Sequence, residues 1–559
     1  MTSLSGNIWE EIKFNEQLSQ KVKQDHKFSD ILSRLIINRN FNEEEIYSIY
    51  NKVSIINPFI NNLDFELSKN LIINFINSKK KILIIGDYDV DGSVATGLLI
   101  RLFKQIKHPY DYFIPDRLED GYGISEKLFK KIEKKLTELV IIVDSGSKSY
   151  DAINYLNNLN IKTIIIDHHE LVKPYPKSTS FINPKKDKDH NHYNLCASAL
   201  VYFLVDILKK ELTLKNYNKS DLFLTALATV CDVMPLRGLN RNIVQTAFNE
   251  YNHNNLDFIN YFYSKKKKSN KFHYDDLGYI IGPILNSGGR LNKSNLATKL
   301  IISKNKDEIK KISNQLINLN DKRKEIEKKS IDKINYNDLI LIKDRIIIIK
   351  DLTIPEGIIG IIASRFLEKY NKTTIVLTQS GNLLKGSARS TSDINIGSII
   401  NNLVSKKILL NGGGHNMAAG FSLYKKNFNK FKSFLFGYKL TIGDSKKKYV
   451  SKISTSAVNI KFLKDLEKLA PFGNNNKRPI FLMENLKIIN PKLINNLHIH
   501  CLLKDKKNKI FNSILFNSVN TNLGNYLLNY KKEINILCEF NLYGANNNKI
   551  STHIIDIIT

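Results

Sequence analysis

The sequence predicts a mixed α/β protein: a parallel-sheet α/β domain joined by a long helix to a smaller α/β domain, with a five-stranded β-barrel at the C-terminal end. Three observations carry this expectation. KILIIGD, TELVIIVD and IKTIIID are short β-branched runs separated by helical patterns such as SVATGLLIRLFKQI and SYDAINYLNNLN. That alternation is expected of buried parallel strands joined by crossover helices. Residues 303–335 keep helical periodicity without a glycine or proline. After residue 450 come five strand-length segments of alternating polarity.

The elements follow in order. The chain has 559 residues, enough for three or four domains at about 150 residues each. Residues 1–74 read as a helical segment with little visible chemistry, and residues 75–302 hold the α/β rhythm. After the connecting helix at 303–335, residues 336–440 supply DRIIIIKD, KTTIVLTQ and LLKGSARS as strands. GIIGIIASRFLEKY between the first two reads as a helix with a glycine-rich start. Residues 450–559 contain IFLMENLKII, LHIHCLLKD, KIFNSILFN, EINILCEFNLYG and KISTHIIDII, the strand number of an OB-fold. Such barrels bind single strands by stacking bases on aromatics above a basic groove; the alternative is a barrel that only braces its neighbours.

Composition narrows the function classes. Hydrophobic content of 42% with 10% aromatics is that of a folded chain. The start MTSLSGNIWEEIKF lacks a basic segment followed by an apolar one, and no run of 18 apolar residues occurs, so neither secretion nor membrane spanning is expected. Cys196, Cys231, Cys501 and Cys538 form no CxxC pair, in keeping with a reducing cytoplasm and no structural zinc. The net charge of +30 suits a polyanionic partner. A bias toward Lys, Asn and Ile explains much of it, and Lys265 to Lys268 read as a solvated loop. No GxxxxGK[ST] loop is present, which excludes an ATP-driven motor of that type.

The chemistry lies at the strand ends. Each β-branched run ends in an aspartate, Asp87, Asp144 or Asp167, and in a parallel sheet these ends share one edge. Asp89 and Asp91 follow the first, His168 and His169 follow the third, and an apolar helix ends at Asp232. Ionised carboxylates so close together raise one another's pKa unless cations lie among them. Carboxylate oxygens and imidazole nitrogens suit Mn²⁺ or Mg²⁺, and a cluster of this size can hold two ions. Taken singly, each residue is as readily a cap, a turn former or a core histidine.

GDYDVDG, VDSGS, DHH and TVCDVMPL, in that order, resemble the metal-binding motifs of the DHH phosphoesterase superfamily, and NGGGHNMAAGFS resembles the GGGH signature of its DHHA1 domain. IPDRLEDGYGIS, GPILNSGGRLN, EGIIGIIASRFLEKY and APFGNNNKRPIF narrow the resemblance to the RecJ family of single-strand-specific exonucleases, from about residue 50 onward. The resemblance implies Asp89, Asp91, Asp144, His168 and Asp232 as metal ligands, with Asp144 as the bridge. It implies Asp87 as a ligand or a residue behind the ligands, and His169 as a contact to the scissile phosphate or leaving oxygen. Ser387, Arg389 and His415 are expected at phosphates, and Arg290, in a glycine-rich turn, on the DNA path. The implied activity is 5′-to-3′ hydrolysis of single-stranded DNA in repair and recombination, by a monomer working with a single-strand-binding protein and a helicase. Two alternatives share the motifs. One is a phosphodiesterase for short oligonucleotides or cyclic dinucleotides, which needs neither NSGGR nor a barrel; the other is a replication scaffold, which has no need of intact ligands.

Overall fold

Runs of four or five aliphatic residues, buried on both faces, make the sheet that positions the site. The computed structural model describes residues 1–116, 119–121, 123–186, 192–214, 218–251, 256–266, 272–335, 339–439, 446–529, 532–543 and 548–558. In chain order, β1 (Trp9–Glu11) leads to α1 (Glu16–His26), α2 (Asp30–Asn38), α3 (Glu43–Tyr47) and α4 (Leu63–Asn77). The α/β segment is β2 (Ile82–Ile85), α5 (Val90–Gln105), β3 (Tyr110–Phe113), α6 (Glu126–Lys131), β4 (Leu139–Val143), α7 (Tyr150–Asn158), β5 (Lys162–Ile166) and β6 (Ser180–Ile182). Next come α8 (Ala197–Glu211), α9 (Lys219–Cys231), α10 (Gly238–Glu250), α11 (Asp257–Lys266), α12 (Gly282–Arg290), α13 (Leu296–Ile302) and the long α14 (Lys306–Lys333). The following sheet segment is β7 (Ile340–Ile342), β8 (Ile346–Lys350), α15 (Ile359–Tyr370), β9 (Thr373–Ser380), β10 (Leu383–Arg389), α16 (Ile396–Ser405), β11 (Asn411–His415), β12 (Ala418–Tyr424) and α17 (Phe428–Gly437). The chain closes with β13 (Lys447–Tyr449), α18 (Ile460–Leu466), β14 (Phe481–Ile494), β15 (His498–Lys504), β16 (Ile510–Leu515), α19 (Asn522–Asn529), β17 (Ile534–Tyr543) and β18 (Lys549–Ile558).

These elements gather into two compact units, one of residues 51–326 with 473–476, the other of residues 1–50, 327–472 and 477–559. In the first, a five-stranded sheet runs β3-β2-β4-β5-β6 with every pair parallel. Ile82, Ile84, Ile141 and Ile164 face a core shared with α5, α8 and α9, while Leu83, Val140, Ile142 and Ile165 face a second core against α6 and α7. A sheet buried on both faces has no room for polar alternation, which is why its central strands read as unbroken aliphatic runs. The edge strands β3 and β6 fall outside the three runs singled out by the sequence. Each pairs on one side only, and YDYF is half-exposed along its length.

The second unit holds a six-stranded sheet, β11-β12-β10-β9-β8-β7, and a closed barrel, β14-β15-β16-β18-β17. The five barrel strands coincide with the five alternating segments, because in a barrel the inward and outward residues alternate. Ile499, Cys501 and Leu503 of β15 point inward, whereas His498, His500 and Leu502 between them are half-exposed. No helix among the described residues is long and apolar enough to cross a membrane.

The strand β1 was not foreseen within the helical N-terminal segment. It pairs with β13, and the residues before it lie against the barrel strand β18. The anchor is Asp556, 1% exposed, whose carboxylate accepts from Ser3 Oγ (2.7 Å), Ser5 Oγ (2.9 Å), Asn7 Nδ2 (3.1 Å) and Trp9 Nε1 (3.0 Å). Asp556→Ala leaves buried donors without their acceptor and should lower the unfolding free energy by about 3 kcal/mol. Urea unfolding followed by the fluorescence of Trp9, the chain's single tryptophan, checks this. An unchanged midpoint would mean that the anchor carries no stability.

Candidate metal centre

The acids reach one place because β2, β4 and β5 are parallel and end together. Asp89 caps α5, its Oδ1 accepting from Gly92 N at 3.0 Å, and Asp91 follows in the first helical turn. Asp144 leaves β4 with φ +59, a left-handed conformation that aspartate tolerates better than most residues. Asp232 ends α9 as its C-cap, and Val233 after it has φ +56, a strained conformation for a β-branched side chain. That turn is held by Asn474, whose Nδ2 donates to Val233 O (2.8 Å) and whose carbonyl accepts from Leu236 N (2.9 Å).

His168 lies among the acids. Its Nε2 is 3.3 Å from Asp144 Oδ1, 3.4 Å from Asp232 Oδ2 and 3.7 Å from Asp91 Oδ2. Three groups of residues bring ligand atoms within 4.8 Å of one another: Asp87, Asp89 and Asp144; Asp91, His168 and Asp232; and Asp144, His168 and His169. Asp144 belongs to two of these groups and His168 to two, so the cluster is continuous. All seven residues that the sequence places at the metal centre therefore come together.

Asp91 has a second task. Its two carboxylate oxygens accept from Ala197 N and Ser198 N, both at 2.8 Å, and its carbonyl accepts from Ser198 Oγ at 2.8 Å. It thereby satisfies the N-terminus of α8, whose N-cap Cys196 makes no side-chain cap bond. A carboxylate oxygen has a further lone pair, so this does not remove Asp91 as a ligand.

Asp167 was read from the sequence only as a strand-end acid. It belongs to none of the three groups. Its Oδ1 accepts from His168 N (2.8 Å) and lies 2.7 Å from His169 Nδ1, while Oδ2 accepts from Ser147 N (2.9 Å). The missed signal is the spacing itself: an aspartate two residues before a histidine in a turn can reach the ring and hold its orientation.

The electrostatics follow from burial. Burial, then the charge of Asp91, raises the pKa of Asp89. Burial and then Asp91, Asp89 and Asp87 push Asp144 well above the usual carboxylate range, and Asp232 is pushed well above it by burial and then by Asp91 and Asp89. His168 is lowered to about 4 by burial and by the charge of His169. Burial also acts to lower His169, but Asp167 and the other acids outweigh it and raise the pKa to about 9. Asp167 itself is driven below the carboxylate range; burial opposes this, and the charge and hydrogen bond of His169 prevail.

These residues fit divalent cations. Asp144 Oδ1 and Asp232 Oδ2 are buried and have no hydrogen-bond partner among the described residues. Such atoms are costly unless something positive meets them. The donor set is carboxylate oxygen with imidazole nitrogen, the chemistry of Mn²⁺ or Mg²⁺. Burial raises the Cys196 and Cys231 thiols, which keeps them protonated and unsuited to ligation.

The remaining predicted residues lie elsewhere. Arg290 is in the first unit, but NSGGR is not a turn: it is the last part of α12, with Arg290 its final, half-buried residue. The glycines allow close packing there: a Cβ on Gly288 would come within 2.7 Å of Lys293 O. Ser387, Arg389 and His415 belong to the other unit. GGGH is the edge strand β11, and both His415 and Arg389 stand opposite Ala418 of β12, on its two sides. Arg389 Nη1 donates to Ser387 Oγ (3.2 Å). These three residues thus share one end of the sheet. Of the basic tract, Lys266 pairs with Asp321 at 2.8 Å, while Lys267 and Lys268 lie outside the described residues.

Comparison with known proteins follows the same divisions. Residues 81–229 match the DHH family N-terminal domain, residues 343–438 the DHHA1 domain, and residues 451–556 the RecJ OB domain. The chain is 28% identical over 506 residues to the single-stranded-DNA-specific exonuclease RecJ of Haemophilus influenzae, covering 84% of this chain and 87% of that one. It is 26% identical over 412 residues to the RecJ of Thermus thermophilus, covering 72% of this chain and 59% of that one. The crystal structure of Thermus thermophilus RecJ in complex with Mn²⁺ matches 99% of this chain and 79% of its own, with a TM-score of 0.83 at 19% identity. The fold is therefore the same.

The two adjacent histidines should titrate far apart in the metal-free protein. His169 is expected to stay protonated up to about pH 9, while His168 stays neutral down to about pH 4. Imidazole NMR of His168→Gln and His169→Gln variants against the parent, in EDTA, assigns the two transitions. Both rings titrating near pH 6.5 would show that Asp167 does not hold His169 charged.

Proposed function

We propose that this member of the DHH family, built from DHH, DHHA1 and RecJ OB domains, is a metal-dependent exonuclease that removes 5′-mononucleotides from single-stranded DNA, working 5′ to 3′ in repair and recombination. The observation that carries this reading is the convergence of Asp87, Asp89, Asp91, Asp144, His168 and Asp232 at one sheet edge, in a chain similar to named single-stranded-DNA-specific exonucleases over most of its length. Residues 75–302 would form the catalytic domain, 336–440 the second jaw, and 450–559 the strand-binding barrel, with 1–74 and 303–335 as helical segments. The enzyme would act as a monomer in the cytoplasm, with a single-strand-binding protein and a helicase as partners.

Asp87, Asp89 and Asp144 would hold one cation, and Asp91, His168 and Asp232 the other, with Asp144 shared. Two divalent ions, Mn²⁺ or Mg²⁺, supply a water of lowered pKa and charge to stabilise the attacking and leaving oxygens of an in-line displacement. The chain's own part is orientation and proton supply. His169, kept protonated through Nδ1 by Asp167, presents its other nitrogen as a donor to the scissile phosphate or leaving oxygen. Arg389, backed by Ser387, and His415 at the same end of the sheet would take phosphate oxygens further along the strand. Stacking on the barrel would favour an unpaired strand over a duplex.

A time course on 5′-labelled and 3′-labelled single strands with Mn²⁺, Mg²⁺ or EDTA tests the reading. Labelled mononucleotide should appear at once from the 5′ label alone, and not in EDTA. Release from the 3′ label first would reverse the polarity, and EDTA-resistant release would remove the metals.

Arg290 can be tested by salt. Each phosphate contact on a single strand contributes about 0.7 to the slope of log affinity against log salt. Arg290→Ala should lower the slope by that amount in a non-supporting ion such as Ca²⁺, and neutralising Lys265 to Lys268 together should lower it less. The opposite ranking would move the DNA path to the basic tract.

A further inference from the structure

We infer that Asn286 is a positioning residue that sets the metal-bearing turn Asp87 to Asp91, and that the NSGG sequence is built around this task. The inference rests on the metal site proposed above. Val90 is the first residue of α5, between Asp89 and Asp91, and its N–H is one of the helix's unpaired terminal donors. It donates to Asn286 Oδ1 at 3.1 Å, across 196 residues of chain. Asp89 spends its own oxygen on Gly92 N. The contact from α12 thus supplies what α5's own cap does not.

The identity of the residue follows from its surroundings. An acceptor set beside Asp87, Asp89 and Asp91 must be neutral, because another carboxylate would add to repulsion already strong enough to raise the pKa of Asp89. An amide oxygen meets that need. The neighbouring residues fix where the amide sits. Ser287 Oγ donates to Ile284 O (2.6 Å) within α12 and lies 3.0 Å from Leu316 O of α14, tying the two helices together. Gly289 faces Tyr88 so closely that a Cβ there would come within 2.6 Å of Tyr88 Cδ2 and 3.0 Å of Tyr88 O. Tyr88 separates Asp87 from Asp89, so α12 touches the metal-bearing turn at two points, a side-chain oxygen and a bare backbone.

Binding of Mn²⁺ to the full chain, without DNA, tests the inference by isothermal titration, with apo thermal unfolding as the control for folding. Asn286→Ala should weaken Mn²⁺ binding by about 10- to 100-fold, the usual effect of removing a group that orients a metal ligand, while the apo midpoint stays within a few degrees of the parent. A merely structural residue would lower the midpoint and leave the affinity in place. Gly289→Ala, which drives Tyr88 away, is the second variant and should weaken Mn²⁺ in the same direction; it carries the test if Asn286→Ala does not fold. Affinity within about twofold of the parent in the folded variant overturns the inference. A parent chain that binds no Mn²⁺ overturns the proposed metal site instead.

Discussion

Mutual repulsion among buried carboxylates is the constraint on which this architecture turns. Two like charges about 4 Å apart at an effective dielectric near 20 repel by about 4 kcal/mol, and six acids, Asp87, Asp89, Asp91, Asp144, Asp167 and Asp232, share this sheet edge. Burial raises the penalty, and the pKa values of Asp89, Asp144 and Asp232 all move upward as a result. A fold that keeps such a cluster must hold it in place against its own charge. Two large apolar cores, one on each face of the parallel sheet, do so by making the strand ends immovable.

The rest of the site is an arrangement of neutral and positive groups that answer the acids one at a time. The backbone N–H groups of Ala197 and Ser198 meet Asp91, and those of Ser147, His168 and His169 meet Asp167. Asp167 is thereby kept ionised and draws a proton onto His169, while His168, a residue away, stays neutral among Asp91, Asp144 and Asp232. One histidine is thus left neutral and its neighbour protonated. Titratable groups pushed apart in this way are how acid and base roles are divided within a site.

Two residues of the same site also carry backbone strain. Asp144 and Val233 both take positive φ, at the end of a strand and just after the end of a helix, and such residues cost about 1–3 kcal/mol each. The surrounding contacts over-determine them: Asp144 N is bonded to Ile166 O of the adjacent strand, and Val233 is held through its carbonyl by Asn474. In the other unit the same economy is reached by register rather than strain. Pairing through β12 brings Arg389 and His415 to the same end of the sheet, one on each side of Ala418.

How much of this the sequence revealed depends on the range of the interaction involved. Strands buried on both faces, barrel strands that alternate and a 28-residue helix without glycine or proline are local patterns, and each was legible. So were the acids, since a parallel sheet sends all its strand ends to one edge. The edge strands β3 and β6 were not, because a strand paired on one side lacks a distinctive pattern. Neither was β1, whose place depends on Asp556 more than 540 residues away. NSGG reads as a turn because glycine ordinarily marks one, yet it lies in a helix, and GGGH lies in a strand. There the missing side chain serves close packing, as at Gly289 against Tyr88. The sequence by itself determined which residue types could meet at the strand ends and what chemistry they suit. The tertiary structure alone decided which oxygen faces which nitrogen, that Asp167 serves His169 and that Asn286 reaches Val90, because these are distances between segments that share no local pattern.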